Sequence, residues 1–344
     1  MSLRDTLALQ ARACASLGSP FTARVLQLCS ERLRPGTPIA DRLLNWPGDI
    51  GPGGASVPLR LTGALHGLVL SGAAPGLAAA YPPNAPPTDA VLWAAIEAAL
   101  HSHTDALDAW LDRPPQTNEV GRSAVLIALG HWLAARHSLP LVLSELGASA
   151  GLNLMWDSYA LALPGGQLGP PDPVLMLRPD WSGQRPEAAL PRVADRRGTD
   201  LTPLNPAEPQ DRLRLSAYIW PDQADRLNRT RAALAAATAA VDRADAADWL
   251  AQRLADPREN HLHLIYHTIA WQYFPAATQT RAQALIANAG ARASDAAPLA
   301  WFGMEADGTS PGAALTLRLW PGDLTFAMGR ADFHGRWVDW QPPQ

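Results

Sequence analysis

Residues 140–154, Pro-Leu-Val-Leu-Ser-Glu-Leu-Gly-Ala-Ser-Ala-Gly-Leu-Asn-Leu, decide how the rest of the chain is read. Leu141 to Leu143 form a short apolar run after Pro140, the pattern of a buried parallel strand. Glu145 follows at the strand's carboxyl end, and Gly147 and Gly151 bracket a small hydroxyl residue, Ser149. Glycines here admit positive φ and a close backbone approach that a Cβ would block. A strand, glycine turn and helix start in this order can hold a polar ligand against N–H groups at the helix N-terminus. Glu145 is positioned to accept hydrogen bonds from an ammonium or hydroxyl group of such a ligand.

Composition removes several chemistries. The 344 residues are 47% hydrophobic, enough for a large core in one elaborated domain or two. The sequence contains no lysine, so all 28 basic residues are arginine. Schiff-base, pyridoxal-phosphate and Walker-type phosphate chemistry, each of which needs a lysine amine, are therefore excluded. A net charge of −4 supplies no global attraction to nucleic acid or to anionic membrane. Two cysteines, Cys14 and Cys29, without Cys-x-x-Cys spacing, read as buried free thiols. The N-terminus carries Arg4, Asp5 and Arg12 with no apolar signal region, and residues 63–80 are broken by His66, Ser71, Pro75 and glycines. These features predict a soluble cytoplasmic protein whose partner is a small molecule.

Residues 1 to 115 read as mostly helix, with Gly18-Ser19-Pro20 as one break, a loop at 43–55 and a helix at 91–111 ended by Pro114-Pro115. Thr117 or Asn118 is expected to cap a buried helix reaching Arg136, which feeds the glycine-loop strand. Residues 155–230 are Pro- and Gly-rich, with a strand expected at 174–177; they read as an insertion or an elaborated βαβ unit. Helices are expected at 223–240, 247–254 and 277–290, a strand at 261–266, and β-structure at 299–304, 315–319, 324–328 and 337–340. The spacing predicts an α/β fold: a helical region over 1–115, then a doubly wound domain over 116–344 with an antiparallel C-terminal edge.

Glu145-x-Gly147-x-Ser149-x-Gly151 resembles the first motif of the S-adenosylmethionine-dependent methyltransferases, a Rossmann-like fold. In that fold a later strand ends in an acid that meets the adenine, and Asp245-Ala246 resembles this element. The next strand delivers groups beside the transferred methyl, which singles out Tyr266 and His267 as catalytic candidates. By the same resemblance, Glu145, Gly147, Ser149, Gly151, Asn153, Asp245 and Ala246 would bind the cofactor. Gln116, Asn118, Arg122, Trp271 and Gln272 would meet the substrate or the cofactor carboxylate. One element is missing: no clear ribose-binding acid lies about 20 residues beyond the loop. Asp172 sits in a Pro-rich turn, and Asp200 qualifies only if 155–195 is an insertion. No Asn-Pro-Pro-Tyr stands near Tyr266, so exocyclic amino groups of bases are not favoured substrates.

Four segments resemble a bacterial family labelled only as a domain of unknown function, over nearly the whole chain. They are Gln-Thr-Asn-Glu-Val-Gly-Arg at 116–122, the glycine loop, Trp-Pro-Asp-Gln at 220–223 and His-Gly-Arg-Trp at 334–337. That resemblance implies no activity of its own. Gly147-x-Ser149-x-Gly151 also matches an α/β-hydrolase nucleophile elbow, with Asp245 or Asp307 and His334 as partners. Against it, residues 1–140 supply no upstream strands, and no His-Gly-Gly-Gly segment exists. Three readings stand: a methyltransferase-like enzyme acting on a small molecule, a binding protein that keeps the fold, and a hydrolase using Ser149. Histidine pairs such as His101-x-His103 and His261-x-His263 lack the spacing of a metal site, and no metal is expected.

Overall fold

In the computed structural model, which describes residues 2–343, the strand read at residue 141 spans Leu141–Leu146 and lies inside a nine-stranded sheet. The chain divides into two units, residues 1–117 with 207–228 and residues 118–206 with 229–344.

The first unit is helical: α1 Leu3–Ser16, α2 Pro20–Arg32, α3 Pro38–Leu44, α4 Val57–Leu70, α5 Pro75–Ala79, α6 Asp89–Ser102 and α7 Thr104–Leu111. Ser2 closes a capping box with Asp5 on α1, and Ser19 and Thr37 cap α2 and α3 ahead of a first-turn proline. The single helix expected at 91–111 is two, because His103 leaves the helical conformation between α6 and α7. The Trp-Pro-Asp-Gln segment is structural. Asp222 accepts from the Ser19 hydroxyl at 2.5 Å and the Phe21 amide at 2.8 Å, satisfying the open N-terminus of α2. Burial pushes the thiols of Cys14 and Cys29 up to about 11 and about 12, so neither is a nucleophile.

The second unit opens with α8 Ser123–Arg136, followed by β1 Leu141–Leu146. Next come β2 Ala160–Leu163, β3 Gly166–Leu168, β4 Met176–Leu177, β5 Asp180–Gly183 and β6 Val193–Asp200. The strand expected at 174–177 shrinks to the two residues of β4, and β2, β3 and β4 form a separate small sheet. The stretch 155–192 carries no α-helix and its β5 pairs with β12 in the large sheet, while 207–228, including α9 Pro209–Ala217, belongs with the helical unit. After α10 Ala224–Ala236 come β7 Ala240–Arg243, α11 Ala246–Arg253, β8 Leu262–Thr268 and α12 Ala276–Gly290. The four strands β9 Leu299–Glu305, β10 Ala313–Trp320, β11 Leu324–Ala331 and β12 Trp337–Trp340 close the chain.

Across the large sheet the order is β5-β12-β11-β10-β9-β8-β1-β6-β7. The five strands β7, β6, β1, β8 and β9 run parallel, while β10, β11 and β12 join antiparallel. Taken in chain order, the parallel set lies 3-2-1-4-5, so the winding reverses between β1 and β8. A crevice outside the carboxyl ends at such a switch point is where open α/β sheets bind ligands. Side chains alternate across each strand. Leu146 and Ile265 pack on α11 and α12 with Ala247, Leu250 and Ile286. On the opposite face the Tyr266 hydroxyl donates to the Asn153 carbonyl, and the Trp156 ring lies against Gly130 of α8. Among the described residues no helix is long and apolar enough to cross a membrane.

Candidate site at the carboxyl ends of the parallel strands

The glycine loop takes a left-handed path, with φ of +71° at Gly147, +53° at Ser149 and +71° at Gly151. A Cβ on Gly147 would sit 2.6 Å from the Ala270 Cβ, and one on Gly151 would sit 3.0 Å from Val241. Both positions exclude side chains because protein, rather than ligand, lies against them. The loop leads into a 3-10 turn over Leu152–Ser158, not the α-helix expected from sequence. Its amides are spoken for. Gly147 and Ala148 donate to the Thr199 carbonyl, Gly151 to Ala148, and Ala150 and Leu152 to Asn118 Oδ1. The Ser149 amide donates to Asp200 at 2.9 Å. No N–H from 147 to 152 is left to cradle a phosphate, so recognition here falls to side chains.

Three acids stand at or just beyond the carboxyl ends of adjacent parallel strands. Glu145 on β1 is 2% exposed, and its Oε2 is buried without a hydrogen-bond partner. Burial holds this carboxyl well above its usual range; Asp200 adds to the shift and Arg122 opposes it. Asp200 ends β6 and is partly buried; besides the Ser149 amide it accepts from Thr202 N at 2.8 Å. Each of its oxygens retains a lone pair for a ligand hydroxyl. Asp245, beyond β7, caps α11 by accepting from Ala247 N and Asp248 N, and its second oxygen accepts from Thr278 at 2.9 Å. Ala246 is buried as the first residue of that helix. The residues between the helices expected at 223–240 and 247–254 are therefore most of the strand β7 and a cap.

The remaining sequence-selected residues divide. Asn118 braces the loop, and Glu119, rather than Thr117 or Asn118, caps the 3-10 turn Val120–Arg122 that precedes α8. Asn153 is buried, accepting from Ser123 and donating to the Glu119 carbonyl. Arg122 donates to the carbonyls of Phe333 and Thr268, both at 2.9 Å, so it ties β8 to the His-Gly-Arg-Trp turn instead of awaiting a carboxylate. In that turn Asp332 accepts from the Arg336 side chain and two backbone amides. Gln116 belongs to the helical unit, and Gln272 is exposed on the loop after β8.

Tyr266 is fully buried, and burial followed by the nearby Glu145 charge pushes its phenol well above the ordinary value, which removes it as a base. His267 is held at both nitrogens. Nδ1 lies 2.8 Å from Glu305 Oε1, and Trp301 Nε1 lies 3.1 Å from Nε2. An indole N–H only donates, so in a neutral ring Nε2 accepts from Trp301 and the Nδ1 proton faces Glu305. Glu305 also accepts from the amides of Ala270 and Trp271. Burial raises its pKa, but the hydrogen bond and electrostatic attraction from His267, followed by the two amides, outweigh burial and hold the carboxyl below its usual range. Sequence reasoning missed Glu305 and Trp301. The signal was an acid closing an apolar strand, as Glu145 does.

The hydrolase geometry is not assembled. Ser149 Oγ is buried with no hydrogen-bond partner, and therefore no base. Asp245 is spent on a cap, and Asp307 on Arg330 and Thr309. Among the described residues no group of three or more His, Cys, Asp or Glu could hold a metal ion.

Fold and site together define a mixed α/β protein with a large, mostly parallel sheet and acids clustered at its strand ends. The chain belongs to the family described as an uncharacterized protein conserved in bacteria (DUF2332), whose model matches residues 4–340. No curated protein and no solved structure matches it.

Proposed function

We propose that the chain is a Rossmann-like, S-adenosylmethionine-binding protein of methyltransferase type, acting on a small molecule. One observation carries the reading: Glu145, Asp200 and Asp245 close or directly follow the first three parallel strands, which lie side by side as β7-β6-β1. Adjacent acids call for a ligand rich in donors, such as a ribose diol and an ammonium group. The saturated loop amides argue against a pyrophosphate and so against a dinucleotide. Asp200 would take the ribose hydroxyls, Glu145 the ammonium and the Asp245–Ala246 segment the adenine. The unpartnered Glu145 Oε2 fits a ligand donor. When bound, the cofactor would supply an electrophilic methyl group on a sulfonium. The chain's own part is to hold the two ends of that ligand and to exclude water with Trp271 and Phe274.

A second reading, a binding protein without chemistry, is favoured by the engagement of the Tyr266 hydroxyl and of both His267 nitrogens. Calorimetric titration with S-adenosylhomocysteine, followed by incubation of S-adenosylmethionine with candidate small molecules, separates the two. Binding with methyl transfer supports the enzyme, and binding alone supports the second reading. No binding at millimolar ligand overturns the cofactor reading.

A further inference from the structure

The loop after β8 carries a feature that the cofactor reading does not use. Ile269 adopts φ +50°, a left-handed conformation that a β-branched residue rarely takes. It is held there by Ile269 N to the Met304 carbonyl at 2.8 Å, and by the Ala270 and Trp271 amides on Glu305. This path stacks Trp271 on His267, with ring centroids 4.9 Å apart. Trp301 and Phe274 stand 5.5 and 5.6 Å from Trp271. All three of these aromatic residues are only partly buried, and neighbouring Tyr273 is 67% exposed.

Beside them lies Glu305, whose Oε1 meets His267 Nδ1 and the Ala270 and Trp271 amides. Its one ion-pairing partner among the described residues is His267, whose Nδ1 lies 2.8 Å from Oε1. Glu305 Oε2 is buried with no hydrogen-bond partner. A carboxylate with a free oxygen beside indole rings attracts a cation twice, by charge and by the ring quadrupoles.

We propose that Trp271, Trp301 and Glu305 form a subsite for a cationic amine or quaternary ammonium group of the small-molecule substrate. Its role as the substrate side of the site rests on the preceding reading; the cation preference rests on these residues alone. The alternative is ordinary packing, since the same rings flank the α11–α12 core.

Choline and its neutral isostere 3,3-dimethylbutan-1-ol discriminate between the two, with tryptophan fluorescence and calorimetry as readouts. Wild-type protein is expected to bind choline saturably at millimolar concentration and the alcohol at least about tenfold more weakly. Glu305→Gln, which keeps an acceptor for the two loop amides, is expected to weaken choline about tenfold with an unchanged circular dichroism spectrum. Trp271→Leu is expected to do the same. Absence of choline saturation, or equal binding of choline and the alcohol, overturns the subsite. S-Adenosylhomocysteine is titrated in parallel. If it binds while choline fails, the subsite falls and the cofactor reading stands; if choline alone binds, the cofactor reading falls.

Discussion

The backbone amide of Ser149 donates to the Asp200 carboxylate at 2.9 Å, fastening the glycine loop of β1 to the end of β6, 51 residues further on. The serine works through its amide, and its hydroxyl has no partner. Ser149→Ala is therefore expected to change S-adenosylhomocysteine affinity by less than about 1–2 kcal/mol. Neither wild type nor variant should react with a serine-directed fluorophosphonate. Stoichiometric labelling that vanishes in the alanine variant would restore the hydrolase reading.

Glu145 gives a pH signature. Its folded pKa lies above the unfolded value near 4.5, so above 4.5 the unfolded chain has lost a proton that the folded chain keeps. Stability then falls as pH rises through that window. Glu145→Gln removes the cost and is expected to raise Tm at neutral pH by at least about 2 °C. The same variant should lose at least about tenfold in ligand affinity, because the amide cannot pair with an ammonium group. A Tm that drops, or affinity that holds, contradicts the assignment.

Gly147 and Gly151 should respond unequally to alanine. At Gly147 a Cβ meets Ala270 at 2.6 Å, so φ strain and a steric clash add, and a loss of about 2–3 kcal/mol in urea unfolding is expected. At Gly151 the nearest atom is 3.0 Å away and belongs to the end of a valine side chain, so the loss should be nearer 1–2 kcal/mol. Equal losses would mean that strain alone acts at both.

His263 is expected to make the protein acid-labile. It is buried on Ser144, and burial, with Arg253 and Arg258 assisting, pulls its pKa from 6.5 down to about 3. Below pH 6.5 the unfolded chain binds a proton that the folded chain refuses. Stability should fall by up to about 1.4 kcal/mol per pH unit until the folded pKa is reached. His263→Gln is expected to flatten that limb in pH-dependent urea unfolding. An unchanged slope would show that other groups dominate.

The sheet was largely legible because its signals are local. Apolar runs mark β1, β8 and the C-terminal strands, and helical periodicity marks the helices between them. What stayed hidden depends on pairing across the chain. Asp200 becomes a site residue only because β6 lies beside β1, and the 51-residue gap hides that register. Asp245 could be seen as an acid at the right place, but not that Ala247, Asp248 and Thr278 occupy its oxygens. Arg122 matched a carboxylate partner by residue type, whereas the carbonyls of Phe333 and Thr268 take its donors. The turn after Gly151 reads as α-helix in the sequence because periodicity does not separate seven residues of 3-10 structure from two helical turns.

The central claim is that the acids at the ends of β1 and β6 hold a nucleoside that bears an ammonium group. Calorimetric titration of wild type and Asp200→Ala with S-adenosylhomocysteine, with adenosine and NAD as comparison ligands, tests it most directly. The account predicts one-to-one binding of S-adenosylhomocysteine, weaker binding of adenosine, no binding of NAD, and a loss of at least about tenfold in the Asp200 variant. No heat with S-adenosylhomocysteine at millimolar concentration in folded protein, or binding indifferent to Asp200, would contradict it.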